Sequence, residues 1–467
     1  MHVRVGRVPA TTSALLTLSL AVPGPASALS FGEGSSGQGS FAEGSASESR
    51  TGSPDIGNPA RGPDFDDDGF HDLAVGMPGS SVPGTGEGAG AVVVVMGSAT
   101  GLTADRSQLW HQDSDDLLGA AKRHDGFGSS VIGRDVDGDT IDDVAVGVCG
   151  EDDPQGAGAV QVLYGSLTGL GSVGNQLIRQ PGSVPRRHEK FGYALGAGHL
   201  DEVDVLFELI ASAHDDVHGE EGAGAVTVMY GTPDGVSLEL VERWTQRTAG
   251  VLGKAEPNDA YGRSLAVADV DNDDNSELAI GVQESFEGAA AAGAVAVLYG
   301  TFTGLGTDRD QLWSQDSPDV VDEAEPQDGF GNDVVLGDFD NDGFNDLGVA
   351  VAEEGFDGLD RAGAVHIVYG TAAGLDPARG QLWTRPDLGG IAATDDRFGA
   401  AITLATSTAT RSSTWSSAFP AHRSRADRWR CCMGRPPVSA RTRTRLSTRL
   451  PSGGRVSARP ATASVRR

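Results

Sequence analysis

Asp269-Val270-Asp271-Asn272-Asp273-Asp274-Asn275-Ser276-Glu277-Leu278-Ala279-Ile280-Gly281 sets the architecture of the whole chain. It opens with an acid at every second position and closes in a short apolar run. Near-copies start at Asp64, Asp135 and Asp338, and a degenerate copy sits near His199. The successive starts are 71, 64, 70 and 69 residues apart, so the chain repeats about every 70 residues. An aromatic-glycine pair stands eight residues ahead of each later copy, at Phe127-Gly128, Phe191-Gly192, Tyr261-Gly262 and Phe330-Gly331. A further pair, Phe398-Gly399, opens a sixth unit. The first copy has the loop but no recognisable pair.

Each unit reads as four short strands. The aromatic-glycine segment supplies one, as in Ser264-Leu265-Ala266-Val267, and the run after the acidic loop supplies another. A valine-rich run follows, such as Gly158-Ala159-Val160-Gln161-Val162-Leu163-Tyr164-Gly165 or its copy from Gly293 to Gly300. A shorter element carries Gln108-Leu109-Trp110, Gln311-Leu312-Trp313 and Gln381-Leu382-Trp383. β-Branched residues in short runs favour strand over helix. Four strands per unit, repeated in series, predict an all-β propeller of four-stranded blades. A solenoid would have shorter repeats. The recurring tryptophans read as blade core.

The paired aromatic-Gly and Gly-Ala signatures, together with the acidic loop, resemble the FG-GAP repeat of integrin α chains and of many bacterial secreted proteins. The resemblance runs from Asp64 to about Leu404. It implies a seven-bladed propeller with calcium loops on one face. It also implies recognition or adhesion on the opposite face, toward an extracellular protein or polysaccharide.

Read on its own residues, each loop is a candidate calcium site. In the first, Asp64, Asp66, Asp68 and Asp72 place carboxylates at positions 1, 3, 5 and 9, and Phe70 offers its carbonyl at position 7. The second loop offers Asp135, Asp137, Asp139, the Ile141 carbonyl and Asp143. Another offers Asp269, Asp271, Asp273, the Asn275 carbonyl and Glu277. The last offers Asp338, Asp340, Asp342, the Phe344 carbonyl and Asp346. Convergent hard oxygens suit Ca²⁺. An EF-hand needs a glutamate at position 12 and flanking helices, whereas position 12 here is Val75, Val146, Ile280 or Val349. The loop is therefore expected to join two strands of one blade. The degenerate copy has His199 and Val203 at positions 1 and 5 and is expected to bind weakly or not at all.

The 467 residues carry a net charge of −31. From Thr406 onward there are fourteen arginines, no lysine and one acid, Asp427, a segment of +13 that leaves −44 on the rest. An acidic body disfavours nucleic acid and anionic membranes. Three cysteines, Cys149, Cys431 and Cys432, imply no disulfide framework. At the N-terminus, Arg4 and Arg7 precede an apolar run from Ala14 to Val22, and Ala26-Ser27-Ala28 offers a cleavage site. That order reads as an export signal over residues 1–28, with no membrane span and a secreted product. A Gly/Ser-rich linker over 29–61 then leads into the propeller at 62–405.

The repeat fails abruptly at Thr406, where the sixth acidic loop is due. Shifting the reading frame restores it. Ala405 through Pro420 can then be read as Asp-Leu-Asn-Gly-Asp-Ala-Ile-Val-Asp-Leu-Val-Val-Gly-Val-Pro, and Ala461 through Val465 as Asp-Gly-Phe-Gly. The expectation is a frameshift near Leu404. About five and a half of seven intended blades are then encoded, and residues 406–467 form an aberrant, disordered tail.

No catalytic motif of the serine-elbow, zinc-protease or phosphate-loop kind appears. His214 and His218 fall in a connection between strands and read as solvated loop residues, and Cys149 as a small packing residue. The expected function is a non-catalytic, calcium-binding recognition scaffold. The competing readings are an accessory module of an extracellular hydrolase system and a frameshifted relic.

Overall fold

A computed structural model of the chain describes residues 62–406, apart from 82–86, 152–155, 182–187, 202–205, 215–218 and 287. It also gives short backbone strands at His2–Arg4, Ser19–Ala21, Phe41–Ala42 and Ser413–Ala418. Most of the stretches read as export signal, linker and arginine-rich tail lie outside the described residues.

Five four-stranded antiparallel sheets follow one another along the chain, each built in sequence order from inner to outer strand. The second sheet is typical: Phe127–Arg134, Asp143–Val148, Ala159–Tyr164 and Gly171–Ile178. The third runs from Leu195–Gly198 to Gly235–Trp244, the fourth from Leu265–Ala268 to Gly306–Trp313, and the fifth from Val334–Gly337 to Asp376–Thr384. The first strand of each sheet packs against the first strand of the next, so these strands share one inner edge and the sheets are arranged as propeller blades. The middle two strands of a blade are mostly buried, and those of the fourth blade, Glu277–Val282 and Ala294–Tyr299, along their whole length. They are sandwiched between neighbouring blades and so read as continuous apolar runs. Among the described residues the only helical element is the 3₁₀ turn Arg385–Leu388, and no helix is long and apolar enough to cross a membrane.

The aromatic-glycine and Gly-Ala signatures prove to be two halves of one joint between blades. Phe330 donates its backbone N–H to Ala292 O at 2.8 Å, and its side chain is fully buried. The same bond recurs from Phe127, Phe191, Tyr261 and Phe398 to Ala89, Ala157, Ala223 and Ala362. Gly293 lies directly under Phe330 with φ +89°, and a Cβ there would fall 2.3 Å from Phe330 O. Each repeat is thus seated on the Ala-Gly-Ala step of the repeat before it.

Two features depart from the sequence reading. The Gln-Leu-Trp element is not short: it is the outer strand, eight residues long in Thr103–Trp110 and in Gly306–Trp313. Its first half is polar and irregular, because the register shifts between Val297–Gln311 and Tyr299–Gly306, and this hides it from a hydrophobicity pattern. In addition, Phe41–Ala42, inside the stretch read as linker, supplies the first strand of the first sheet, pairing with Val75 and Ala74.

The sixth unit begins as expected. Ala401–Thr406 pairs with Ser413–Ala418, with Ile402 opposite Ser417 and Ala405 opposite Thr414. This is the register of Val334–Val349 and Gly337–Asp346 one repeat earlier.

Candidate metal centres

Each acidic loop joins the first and second strands of its blade, as the strand residues at position 12 require. Consecutive loops touch. Asp64 donates its N–H to Asp142 Oδ2 at 2.8 Å, Ser276 donates its N–H to His199 O at 2.6 Å, and Asn345 Nδ2 bonds Asp269 O at 2.6 Å. The loops therefore stand in a row at one end of the blades.

Inside a loop the four acids have different jobs. The acid at position 1 organises the turn. Asp269 Oδ1 accepts from the N–H of Asn272 at 2.6 Å and Oδ2 from Asp274 at 3.1 Å. Asp135 does the same for Gly138 and Thr140. Positions 4 and 6 take left-handed φ: Gly138 and Thr140 in one loop, Asn272 and Asp274 in another, Asn341 and Gly343 in the last. Asn, Asp and Gly tolerate that region best. The acid at position 5 accepts from the N–H at position 7, as Asp139 does from Ile141 at 2.8 Å and Asp273 from Asn275 at 3.0 Å.

The acid at position 9 is a backbone latch. Asp143 Oδ2 accepts from Val136 N–H and Oδ1 from Gly165 N–H, both at 2.9 Å. Asp72 and Asp346 repeat both bonds, and Glu277 repeats the first, to Val270. In the degenerate loop Glu208 still makes it, accepting from Leu200 N–H at 2.7 Å.

What remains free is oxygen. Asp66 Oδ1, Asp271 Oδ1, Asp340 Oδ1 and Glu277 Oε1 are buried without a hydrogen-bond partner. Ligand oxygens of Asp64, Asp66 and Asp72 lie within 4.8 Å of one another. So do those of Asp135, Asp137 and Asp143, of Asp269, Asp271 and Asp273, and of Asp338, Asp340 and Asp346. Burial drives every such centre toward protonation: Asp72 and Asp346 are pushed up to about 7, Asp143 to about 8 and Glu277 to about 9. Orphaned, converging, burial-strained carboxylates are what a divalent cation relieves. The residues present therefore fit a hard cation at four loops. Phe70, Ile141, Asn275 and Phe344 each donate their N–H to the position-5 acid.

Sequence reasoning missed two sets of partners. Arg106, Arg309 and Arg379, each two residues before Gln-Leu-Trp, reach into the loops of their own blades. The recurrence of Arg at that offset was the available signal. The second set is buried away from the loops: Gln246 Nε2 bonds Glu284 Oε2 at 2.6 Å, beside Glu256 and Asp259. His214 stacks near Tyr193, and its burial, with the nearby charges of Lys190 and Arg263, pushes its imidazole down to about 4; His218 lies outside the described residues. Cys149 is a free thiol whose Sγ lies 3.0 Å from Ser129 Oγ.

A row of acidic strand-to-strand loops on serially jointed four-stranded blades defines the class: a repeat β-propeller with metal-competent loops. The FG-GAP repeat family matches residues 127–163 and 261–298, and the chain carries FG-GAP repeats on that fold. Among solved structures it is similar to the rhamnogalacturonan lyase YesW, at 12% identity and a TM-score of 0.36 over 81% of this chain and 56% of that one. It is also similar to the Dos1 propeller, at 11% identity and a TM-score of 0.30 over 66% of this chain and 55% of that one. The chain spans little more than half the length of either.

Proposed function

We propose that the protein is a secreted, calcium-loaded FG-GAP propeller that serves as a non-catalytic adhesion or ligand-recognition scaffold for an extracellular protein or polysaccharide. The observation that carries the reading is an orphaned buried oxygen at the same loop position in the first, fourth and fifth blades, on Asp66, Asp271 and Asp340. Calcium would be held by the acids at positions 1, 3, 5 and 9 of the four loops and by the carbonyls of Phe70, Ile141, Asn275 and Phe344. Its contribution is structural: it neutralises the row of loops and so stiffens one end of the blades. Thermal unfolding with calcium and with chelator tests this. A midpoint raised by calcium and unmoved by magnesium is expected; equal midpoints in all three would sink it. Recognition is tested by binding to arrays of extracellular matrix proteins and polysaccharides, with binding lost on chelation.

The domain plan is part of the proposal: export signal 1–28, linker 29–61, propeller 62–405 and a frameshifted tail 406–467. The backbone of Ser413–Ala418 occupies the place of a second blade strand. The shifted frame supplies a fitting sequence there, Asp-Leu-Val-Val-Gly-Val. Resequencing the gene across codons 395 to 410 tests it, and a clean in-frame read with no base slip would refute it.

A further inference from the structure

Three of the four loops contain a resident cation, and one does not. Arg309 places its guanidinium 2.5 Å from Asp271 Oδ2 and 4.0 Å from Asp273 Oδ2. Arg379 stands 2.5 Å from Asp340 Oδ2 and 3.7 Å from Asp342 Oδ2, and Arg106 stands 2.6 Å from Asp66 Oδ2 and 3.2 Å from Asp68 Oδ2. The contact is always to the acids at positions 3 and 5. The arginine comes from the irregular part of the outer strand, where the shifted register turns it back over its own blade. A third-strand tyrosine supports it: the Arg309 guanidinium lies 4.4 Å from the Tyr299 ring centre, and that of Arg379 lies 4.7 Å from Tyr369.

The second blade has the platform without the cation. Tyr164 bonds Gln176 at 2.7 Å, as Tyr299 bonds Gln311 at 2.8 Å, but the residue at the arginine's place is Gly174. Among the described residues no basic side chain pairs with Asp135, Asp137 or Asp139. The third blade, whose loop has lost its acids at positions 1 and 5, has Leu240 at that place. Arginine and acidic loop go together except at the second blade.

We propose that Arg106, Arg309 and Arg379 are built-in counter-cations that hold their loops in shape without metal and lower their affinity for calcium, leaving Asp135–Asp143 as the tight site. The physical basis is charge count. Cation affinity of an all-oxygen site follows its net negative charge, and a guanidinium beside two of the four acids reduces it while removing the repulsion that metal would otherwise relieve. The arginine holds the outer oxygen, Oδ2, of Asp271 and of Asp340 and leaves Oδ1 free. The loop therefore remains open to calcium, with less to gain from it.

The inference rests on the calcium reading above, and the test separates the two. Calorimetric titration of the full chain with calcium is expected to show one tight site and a weaker class of three. Arg309→Met, which keeps an apolar stem on Tyr299, should move one weak site to roughly tenfold tighter binding and lower the melting midpoint in chelator. Arg309→Lys should restore both. Gly174→Arg should abolish the tight site and raise the chelated midpoint; a Cβ there meets only Tyr164 at 3.7 Å, and Arg106 adopts the same left-handed backbone at φ +63°. Weaker calcium binding by Arg309→Met with an unchanged chelated midpoint would overturn the proposal, because the arginine would then merely orient ligands. A single class of four equal sites in the wild type would overturn the ranking of loops. No heat from any variant would remove the calcium reading, and the chelated midpoints would still decide what the arginines do.

Discussion

Gln315 donates its Nε2 to Glu354 Oε2 at 2.8 Å where the fourth blade meets the fifth, and both side chains are almost wholly buried. The link recurs as Gln112 to Glu151 and Gln246 to Glu284, always from two residues past a blade's last tryptophan to the end of the next blade's second strand. A second acid sits beside it. Asp259 and Asp328 accept the N–H of the residue three before, at 2.6 and 2.7 Å, and lead into the aromatic-glycine joint. Burial pushes Glu354 up to about 8 and both Asp259 and Asp328 to about 7. At these two joints Glu354, Asp259 and Asp328 are thus held toward the protonated form near neutrality.

That fastening fixes the sign of the pH dependence. In the unfolded chain these acids release their protons near 4, at the ordinary values of 3.8 and 4.5. In the folded protein they keep them to about 7 or 8. The folded state therefore binds more protons across the window between, and stability falls as pH rises through it. With calcium held saturating, so that the loops stay constant, the urea midpoint is expected to be lower at pH 9 than at pH 6. A midpoint that rises over that interval contradicts the assignment.

Replacing the acid by its amide separates charge from hydrogen bonding. Glu354→Gln keeps the shape and needs no proton, so it should flatten part of the pH dependence and stabilise the protein at pH 9. Gln315→Leu leaves Glu354 Oε2 buried without its donor and should cost about 1–3 kcal/mol. Urea unfolding of both variants at the two pH values checks this; equal pH slopes in wild type and Glu354→Gln would count against it.

The joint between repeats predicts a contrast between two glycines of similar φ. At Gly293 a methyl group meets the Phe330 backbone at 2.3 and 2.6 Å, so Gly293→Ala must push two blades apart. At Gly101, with φ +96°, nothing lies within 4 Å of the same methyl. Gly101→Ala should cost only the left-handed backbone, about 1–2 kcal/mol, and Gly293→Ala more than about 3 kcal/mol. Equal losses in thermal unfolding would mean that the joint yields.

These contrasts also show where sequence is readable. Second and third strands stand out because both of their faces are covered by neighbouring blades, so small and apolar residues fill residues 278–282 and Ala294–Tyr299. The acidic loops stand out because position 1 must bond its own turn and positions 4 and 6 must bend left-handed. The outer strands do not stand out, since residues such as Asp308, Arg309 and Asp310 sit in an irregular, half-exposed stretch with no period. Phe41–Ala42 does not either, being a strand only two residues long. Counting carboxylates picked out the acid clusters that the structure brings together but assigned position 9 to metal alone, because hydrogen bonds to distant backbone leave no local pattern. The arginines were present as a repeat but lay nearly 40 residues from their partners.

The third blade separates the latch from the metal. Glu208 holds Leu200 N–H at 2.7 Å in a loop whose positions 1 and 5 are His199 and Val203, so its role there is backbone fastening. Asp143 makes two such bonds and also faces Asp135 and Asp137 within ligand distance. Removing either side chain strands buried backbone donors, at about 1–3 kcal/mol. Glu208→Ala should therefore lower the melting midpoint equally in calcium and in chelator. Asp143→Ala should lower it further in calcium than in chelator, since it loses a ligand as well as a latch. If calcium makes no difference to the Asp143→Ala penalty, position 9 is purely structural, and the cation would be held by positions 1, 3 and 5 alone.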